Sequence, residues 1–266
     1  MLQLPVYQVD AFADALFKGN PAAVCPLDEW LPDILLQQIA AENNLPETAF
    51  YVPDGEDAFH LRWFTPVMEV DLCGHATLAT AFVLFSRRGF QGPEVLFRSR
   101  SGLLRVKRSG EGWSLDFPAD VLRVADADHT SLEAALGVPV KAAFRGRSDY
   151  LLVVEDESTV QNLQPDLDLL ERFPVRGVIV TAAGREVDFV SRFFAPQSGI
   201  AEDPVTGSAH TTLTPYWAAF FHKNNLTARQ LSARGGALRC ELAGSRVFIS
   251  GKCHLYLEGN IFVPAF

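Results

Sequence analysis

The 266-residue sequence predicts an α+β fold of two pseudo-symmetric domains, each a mixed β-sheet or barrel wrapped around a central α-helix. Three observations lead there. Arg62-Trp63-Phe64-Thr65-Pro66 recurs as Arg192-Phe193-Phe194-Ala195-Pro196, displaced by 130 residues. A loop follows each copy, three residues longer the second time, and ends in a glycine (Gly74 or Gly207) that opens a small-residue segment. Those segments continue through residues 78–85 and 211–221 and are apolar all round, so each needs its own sheet as cover. Duplicated halves generally pack about a pseudo-two-fold axis, and domain junctions are where ligand sites tend to form.

Residues 4–12 read as a first strand and 22–25 as a second, separated by a loop at Lys18-Gly19-Asn20-Pro21. Residues 33–43 carry apolar side chains at 34, 35, 36, 39 and 40, a helical pattern that fades at Asn43-Asn44. Residues 48–52 and 58–64 form a hairpin about a turn at 53–56. Three β-like runs fill 96–117, broken at Ser101-Gly102 and Gly110-Glu111-Gly112. Strand alternation stops at Phe117-Pro118-Ala119-Asp120, which sets the expected division. Residues 1–118 form the N-terminal domain and 119–266 the C-terminal one, with a last strand that can return to the first. The second half offers a short helix at 131–136, a strand near 150–154 and a helical stretch near 166–173. Strands at 177–181 and 187–194 precede the second central helix, and short strands occupy 238–248 and 254–263.

Composition is that of a soluble globular protein, 48% hydrophobic and 21% charged. No apolar run reaches membrane-spanning length, and Met1-Leu2-Gln3-Leu4-Pro5 lacks the basic and apolar regions of a signal peptide. A cytoplasmic location is the expectation. The net charge of −9 argues against nucleic-acid or anionic-membrane surfaces. Cys25, Cys73, Cys240 and Cys253 show no CxxC spacing, so reduced thiols are expected and no metal site. GxGxxG, Walker, HExxH and GxSxG motifs are absent as well.

The chemistry is expected around Asp71-Leu72-Cys73-Gly74-His75-Ala76-Thr77 and Glu202-Asp203-Pro204-Val205-Thr206-Gly207-Ser208-Ala209-His210. Two glycine-led helix starts facing one cleft would bind an anion through backbone N–H groups alone. The repeat is chemically asymmetric. Displaced by 130, Glu47 falls on Gly177, while His75 falls opposite Ser208 and Cys73 opposite Thr206. Glu47 is either a surface glutamate or a partly desolvated acid/base at the start of a β run. His75 is either a backbone-bonded helix-start residue or a polar site group. Asp203 is readable as the cap of the second helix, a role compatible with chemistry. Cys73, before a helix N-terminus, is either a small packed residue or a base or nucleophile. A two-thiol epimerase needs a second thiol where Thr206 stands, which disfavours it.

Several segments together resemble the PhzF family, named for a phenazine-biosynthesis isomerase and related in fold to diaminopimelate epimerase. They are Asp10-Ala11-Phe12, Gly19-Asn20-Pro21-Ala22-Ala23-Val24, Asn44-Leu45-Pro46-Glu47-Thr48-Ala49-Phe50, Arg62 to Pro66, Cys73-Gly74-His75-Ala76-Thr77 and Glu202 to Ala209. The resemblance implies a diaminopimelate epimerase-like fold with the site between the domains, no cofactor, no metal and commonly a homodimer. By motif, Glu47 is the implied general acid/base, moving a proton between two carbons of a small carboxylate-bearing substrate. His75 and Asp203 are the implied polar partners, and Gly74, His75, Gly207 and Ser208 the implied carboxylate-binding backbone. Pro46 stands where the phenazine enzyme has serine, and Cys73 where it has alanine. Both departures bear on substrate choice. The rival expectations are a racemase or epimerase of the diaminopimelate epimerase type and a non-catalytic binding or scaffolding protein of the same fold.

Overall fold

The computed structural model describes residues 1–55 and 57–265. The chain forms two compact units, one of Met1–Asp116 with the stretch from Ser250 onward, the other of Phe117–Ile249. Among the described residues, no helix is long and apolar enough to cross a membrane.

The first unit begins with β1 (Leu2–Ala11) and β2 (Asn20–Pro26), which pair antiparallel. The expected loop at 18–21 is therefore shorter at its far end. Asn20 and Pro21 already lie in β2, opposite Ala11 and Asp10. Helix α1 (Asp33–Asn43) has its expected span, closed by Asn44 in the left-handed conformation that favours asparagine or glycine. It leads to β3 (Glu47–Pro53), parallel to β2, and then β4 (Ala58–Phe64), antiparallel to β3. Glu56, in the turn expected between them, lies outside the described residues. After the short β5 (Glu69–Val70) comes helix α2 (Gly74–Ser86). Every residue of α2 from His75 to Phe85 is buried, and it packs against β1, β2 and β3. Strands β6 (Glu94–Ser99), β7 (Gly102–Ser109) and β8 (Gly112–Pro118) follow, with β6 parallel to β4 and antiparallel to β7.

The second unit repeats this order of pairings. Strands β9 (Arg123–Val124) and β10 (Ala142–Arg145) flank helix α3 (His129–Leu136), whose N-terminus Asp128 caps. Then comes β11 (Asp149–Val153), antiparallel to β10. Short helices α4 (Glu157–Asn162) and α5 (Leu167–Leu170) lead to β12 (Gly177–Ala183), parallel to β11. Strand β13 (Phe189–Phe194) is antiparallel to β12. Helix α6 (Gly207–Phe221) follows, then β14 (Asn225–Gln230), parallel to β13. Strands β15 (Gly236–Ala243), antiparallel to β14, and β16 (Arg246–Gly251) close the unit. The sequence of parallel, antiparallel, parallel and antiparallel partners is the same in β2-β3-β4-β6-β7 and β11-β12-β13-β14-β15. Each unit is thus a mixed sheet on its own apolar helix, since α6 packs against β11, β14 and β15.

The last strand, β17 (Cys253–Val263), lies antiparallel to β1 over the full length of that strand, from Leu2↔Val263 to Ala11↔Cys253. Several elements differ from expectation. The helical stretch near 166–173 contracts to the single turn of α5. Helix α4 forms where no helix was expected, because the Asp156 carboxylate accepts the Thr159 N–H at 2.8 Å and caps it. Strands β10 and β14 were not foreseen either.

Helix α6 contains Pro215, which has no N–H to give the Thr211 carbonyl one turn back. The Asp120 N–H supplies that bond instead, at 3.1 Å. The Asp120 carboxylate also accepts the Thr212 hydroxyl at 2.9 Å, so a loop residue completes the helix.

Candidate active site

The expected site residues fall into two sets, one per unit. In the first, Glu47 is the opening residue of β3, paired with Ala22 of β2, and Gly74 is the first residue of α2. Cys73 is the N-cap of α2, with no capping hydrogen bond of the usual geometry from its side chain. Two hydrogen bonds of one buried turn hold the start of α2 in place. Thr77 bonds back to the Cys73 carbonyl through both its hydroxyl and its N–H, at 2.5 and 3.1 Å.

His75 is the hub of this set. Its Nε2 stands 3.1 Å from Glu47 Oε2, with side-chain exposures of 5% for the ring and 13% for the carboxylate. Oε2 is buried, and the imidazole is the group it faces. The other ring nitrogen, Nδ1, lies 3.1 Å from the Asn20 side-chain amide and 3.5 Å from Cys73 Sγ. Burial works against an imidazolium here. The Cys73 sulfur and the Glu47 carboxylate outweigh it and hold the His75 pKa well above the usual value. Burial also pushes the Cys73 thiol up to about 11, so at neutral pH the sulfur carries its proton. The donor atoms of Glu47, Cys73 and His75 all lie within 4.8 Å of one another.

In the second unit, Thr206 is the N-cap of α6 and Gly207 its first residue, the counterparts of Cys73 and Gly74. Asp203 does not cap this helix, contrary to expectation. Its carboxylate instead accepts the Thr206 hydroxyl, three residues along the loop. Gln230, at the end of β14, fixes the turn. It accepts the Thr206 N–H at 2.9 Å and donates to the Asp203 carbonyl at 2.8 Å. Ser208 receives a hydrogen bond from Arg176 Nη2 at 3.0 Å. Arg176 also forks onto the buried carboxylate of Asp149, with its Nε 2.8 Å from Oδ1. Burial raises the Asp149 pKa, while the guanidinium pulls against that rise.

Asn20, Arg176 and Gln230 had no role in the sequence reading. Arg176 carried a signal nonetheless, since it precedes Gly177, the repeat counterpart of Glu47.

Known proteins place this geometry in context. A family model described as "Phenazine biosynthesis-like protein" matches residues 9–259. A protein of Pseudomonas aeruginosa named as an uncharacterized isomerase is 53% identical over 260 residues, covering 98% of this chain and 99% of its own length. One of Halalkalibacterium halodurans, also named an isomerase, is 43% identical over 266 residues, covering 99% of this chain and 100% of that protein. A crystal structure of a PhzF-family phenazine biosynthesis protein from Enterococcus faecalis superposes with a TM-score of 0.95 at 48% identity. The match covers 98% of this chain and 100% of that one.

Proposed function

We propose that this chain, which belongs to the PhzC-PhzF family of phenazine biosynthesis-like proteins and is an isomerase, moves a proton within a small carboxylate-bearing substrate, with Glu47 as the shuttle. The observation that carries the reading is the pairing of the buried Glu47 Oε2 with His75 Nε2 at 3.1 Å. A base must come within reach of a substrate proton, and an imidazole beside it can hold it in place and balance charge as the proton moves. Glu47 takes the proton from one carbon and returns it to another, so substrate and product differ only in where that hydrogen and one double bond lie. No electron leaves or enters.

His75 and Asp203 serve as polar partners, His75 by balancing the charge of Glu47 and Asp203 by holding the Thr206 turn. The N–H groups of Gly74, His75, Gly207 and Ser208 lie in the first turns of α2 and α6, where helical backbone donors have no intrahelical acceptor. They are the proposed holders of substrate carboxylate oxygens. A racemase using two thiols gains no support, because Thr206 replaces the second thiol and its hydroxyl is bound to Asp203. A homodimer belongs to the proposal and is tested by light scattering on the eluting protein.

Screening cyclic and acyclic unsaturated carboxylates in deuterated water tests the reaction class. The expected result is enzyme-dependent deuterium entry at a carbon of at least one isomerised product. Isomerisation dependent on an added redox cofactor, or deuterium exchange with inversion at a single carbon, would contradict the reading.

A further inference from the structure

The Glu47–Cys73–His75 cluster has more donors than a proton shuttle requires, and they are of three kinds. A carboxylate oxygen, an imidazole nitrogen and a sulfur converge within 4.8 Å of one another. Oε2 of Glu47 is buried and faces His75 Nε2 in an ion pair, a contact that a cation between the two would replace. We propose that these three side chains form a binding site for a thiophilic divalent cation such as Zn²⁺, which occupies the place of the substrate proton and shuts the enzyme off.

The geometry is close to what such an ion needs. Zinc bonds of about 2.0–2.1 Å to nitrogen or oxygen and about 2.3 Å to sulfur, at tetrahedral angles, put a sulfur–nitrogen pair about 3.6 Å apart and a nitrogen–oxygen pair about 3.4 Å apart. Here Cys73 Sγ is 4.0 Å from His75 Nε2, and Nε2 is 3.1 Å from Glu47 Oε2. The widest gap, between Cys73 Sγ and the Glu47 carboxylate, lies within 4.8 Å, and side-chain torsions close it to the about 3.6 Å of a shared ion. Binding through Nε2 leaves Nδ1 facing the Asn20 amide at 3.1 Å. Turned over, that amide accepts the Nδ1–H and fixes the ring, the outer support a metal-bound histidine ordinarily has. Three protein ligands leave a fourth position for water. The mixed sulfur, nitrogen and oxygen set favours zinc, cobalt or cadmium over magnesium or calcium.

On binding, the Cys73 S–H bond and the His75 Nε2–H bond both break, the two protons pass to solvent, and the sulfur and the nitrogen bond to the ion, with no change of oxidation state. Cys73 was expected to be a packed residue and no metal was foreseen, because Glu47 lies 26 residues from Cys73 and no short spacing joins them. Inhibition, unlike binding, rests on the proposed role of Glu47.

The test uses the full chain without a tag, stripped with chelator and titrated with Zn²⁺ by calorimetry and with Co²⁺ by absorption. One ion per chain is expected, with a thiolate-to-cobalt charge-transfer band. Outer-shell changes cost about 10–100-fold in metal affinity, so loss of a ligand in Cys73→Ser should weaken Zn²⁺ by more than about 100-fold and abolish the band. Cys240→Ala, in the other unit, should leave both unchanged. Circular dichroism of each stripped variant checks folding, and Glu47→Gln gives a second ligand deletion should Cys73→Ser not fold. Absence of binding, or full-strength binding in a folded Cys73→Ser or Glu47→Gln protein, overturns the site. Binding that leaves deuterium exchange unaffected would keep the metal site and contradict the Glu47 shuttle instead.

Discussion

Arg62 Nε lies 2.7 Å from Glu69 Oε1 and its Nη2 lies 2.8 Å from Oε2, a two-pronged pair that ties β4 to β5, the short strand ahead of α2. The second unit repeats it. Arg192 grips Glu202 at 2.7 and 2.9 Å, and each guanidinium sits over the ring two residues on, Phe64 or Phe194. The recurrence of Arg62 to Pro66 is thus the recurrence of one device, a strand arginine that fixes the loop feeding a glycine-led helix.

The two pairs should differ in weight. Arg62 keeps Asp33 at 2.9 Å if Glu69 is removed, whereas Arg192 is 9% exposed and otherwise donates to the Val160 and Leu163 carbonyls. Breaking a buried pair by deleting one partner costs about 3–5 kcal/mol. Glu202→Ala should lose about that much in urea unfolding, and Glu69→Ala clearly less. Equal losses would mean that Asp33 does not compensate.

Much of this was legible in the chain because local chemistry and tertiary need agree. The apolar runs after Gly74 and Gly207 could only be core helices, and each begins at its glycine. Glu47 and His75 could be named but not joined by spacing. The contact between them arises because β2 brings β3 alongside in parallel, a long-range pairing no local pattern shows. Asn20 was misread for a related reason. Gly19-Asn20-Pro21 has turn composition, yet pairing with β1 draws Asn20 and Pro21 into a strand. Strand β10, four residues long, and the single turn of α5 are too short for periodicity to register. Arg176 could not be found as a partner of Ser208, since 32 residues separate them.

Gly19 precedes Asn20 with φ +68°, and a Cβ there would lie 2.2 Å from the Ala11 carbonyl oxygen. Neither the backbone conformation nor the space admits a side chain. Left-handed backbone alone costs a non-glycine residue about 1–2 kcal/mol. Gly19→Ala should exceed that in denaturant unfolding and shift the His75 ring resonances, because Asn20 is moved from Nδ1. An unchanged His75 spectrum would show that Asn20 is placed by β2 pairing alone.

His210 gives the fold an acid-sensitive group. Burial lowers its pKa to about 4, and its Nδ1–H donates to the Thr206 carbonyl at 2.8 Å. The unfolded chain takes up this proton near pH 6.5 and the folded chain only near 4. Stability from the neutral ring is therefore complete above about 6.5 and lost as pH falls toward about 4, a difference of about 3 kcal/mol. His210→Asn should flatten the stability profile over that window relative to the wild type. A wild-type slope retained in the variant would assign the acid sensitivity to other groups.

Glu47→Gln is the most direct trial of the central claim, because it keeps shape and hydrogen-bonding capacity while removing the proton-carrying oxygen. General acid–base help is worth about 10²–10⁴-fold in rate. With a substrate from the carboxylate screen, deuterium entry from solvent should fall by at least that factor in Glu47→Gln. It should fall less in His75→Ala and least in Cys73→Ser. Wild-type exchange in Glu47→Gln beside a dead Cys73→Ser would contradict the account and give the proton to the thiol.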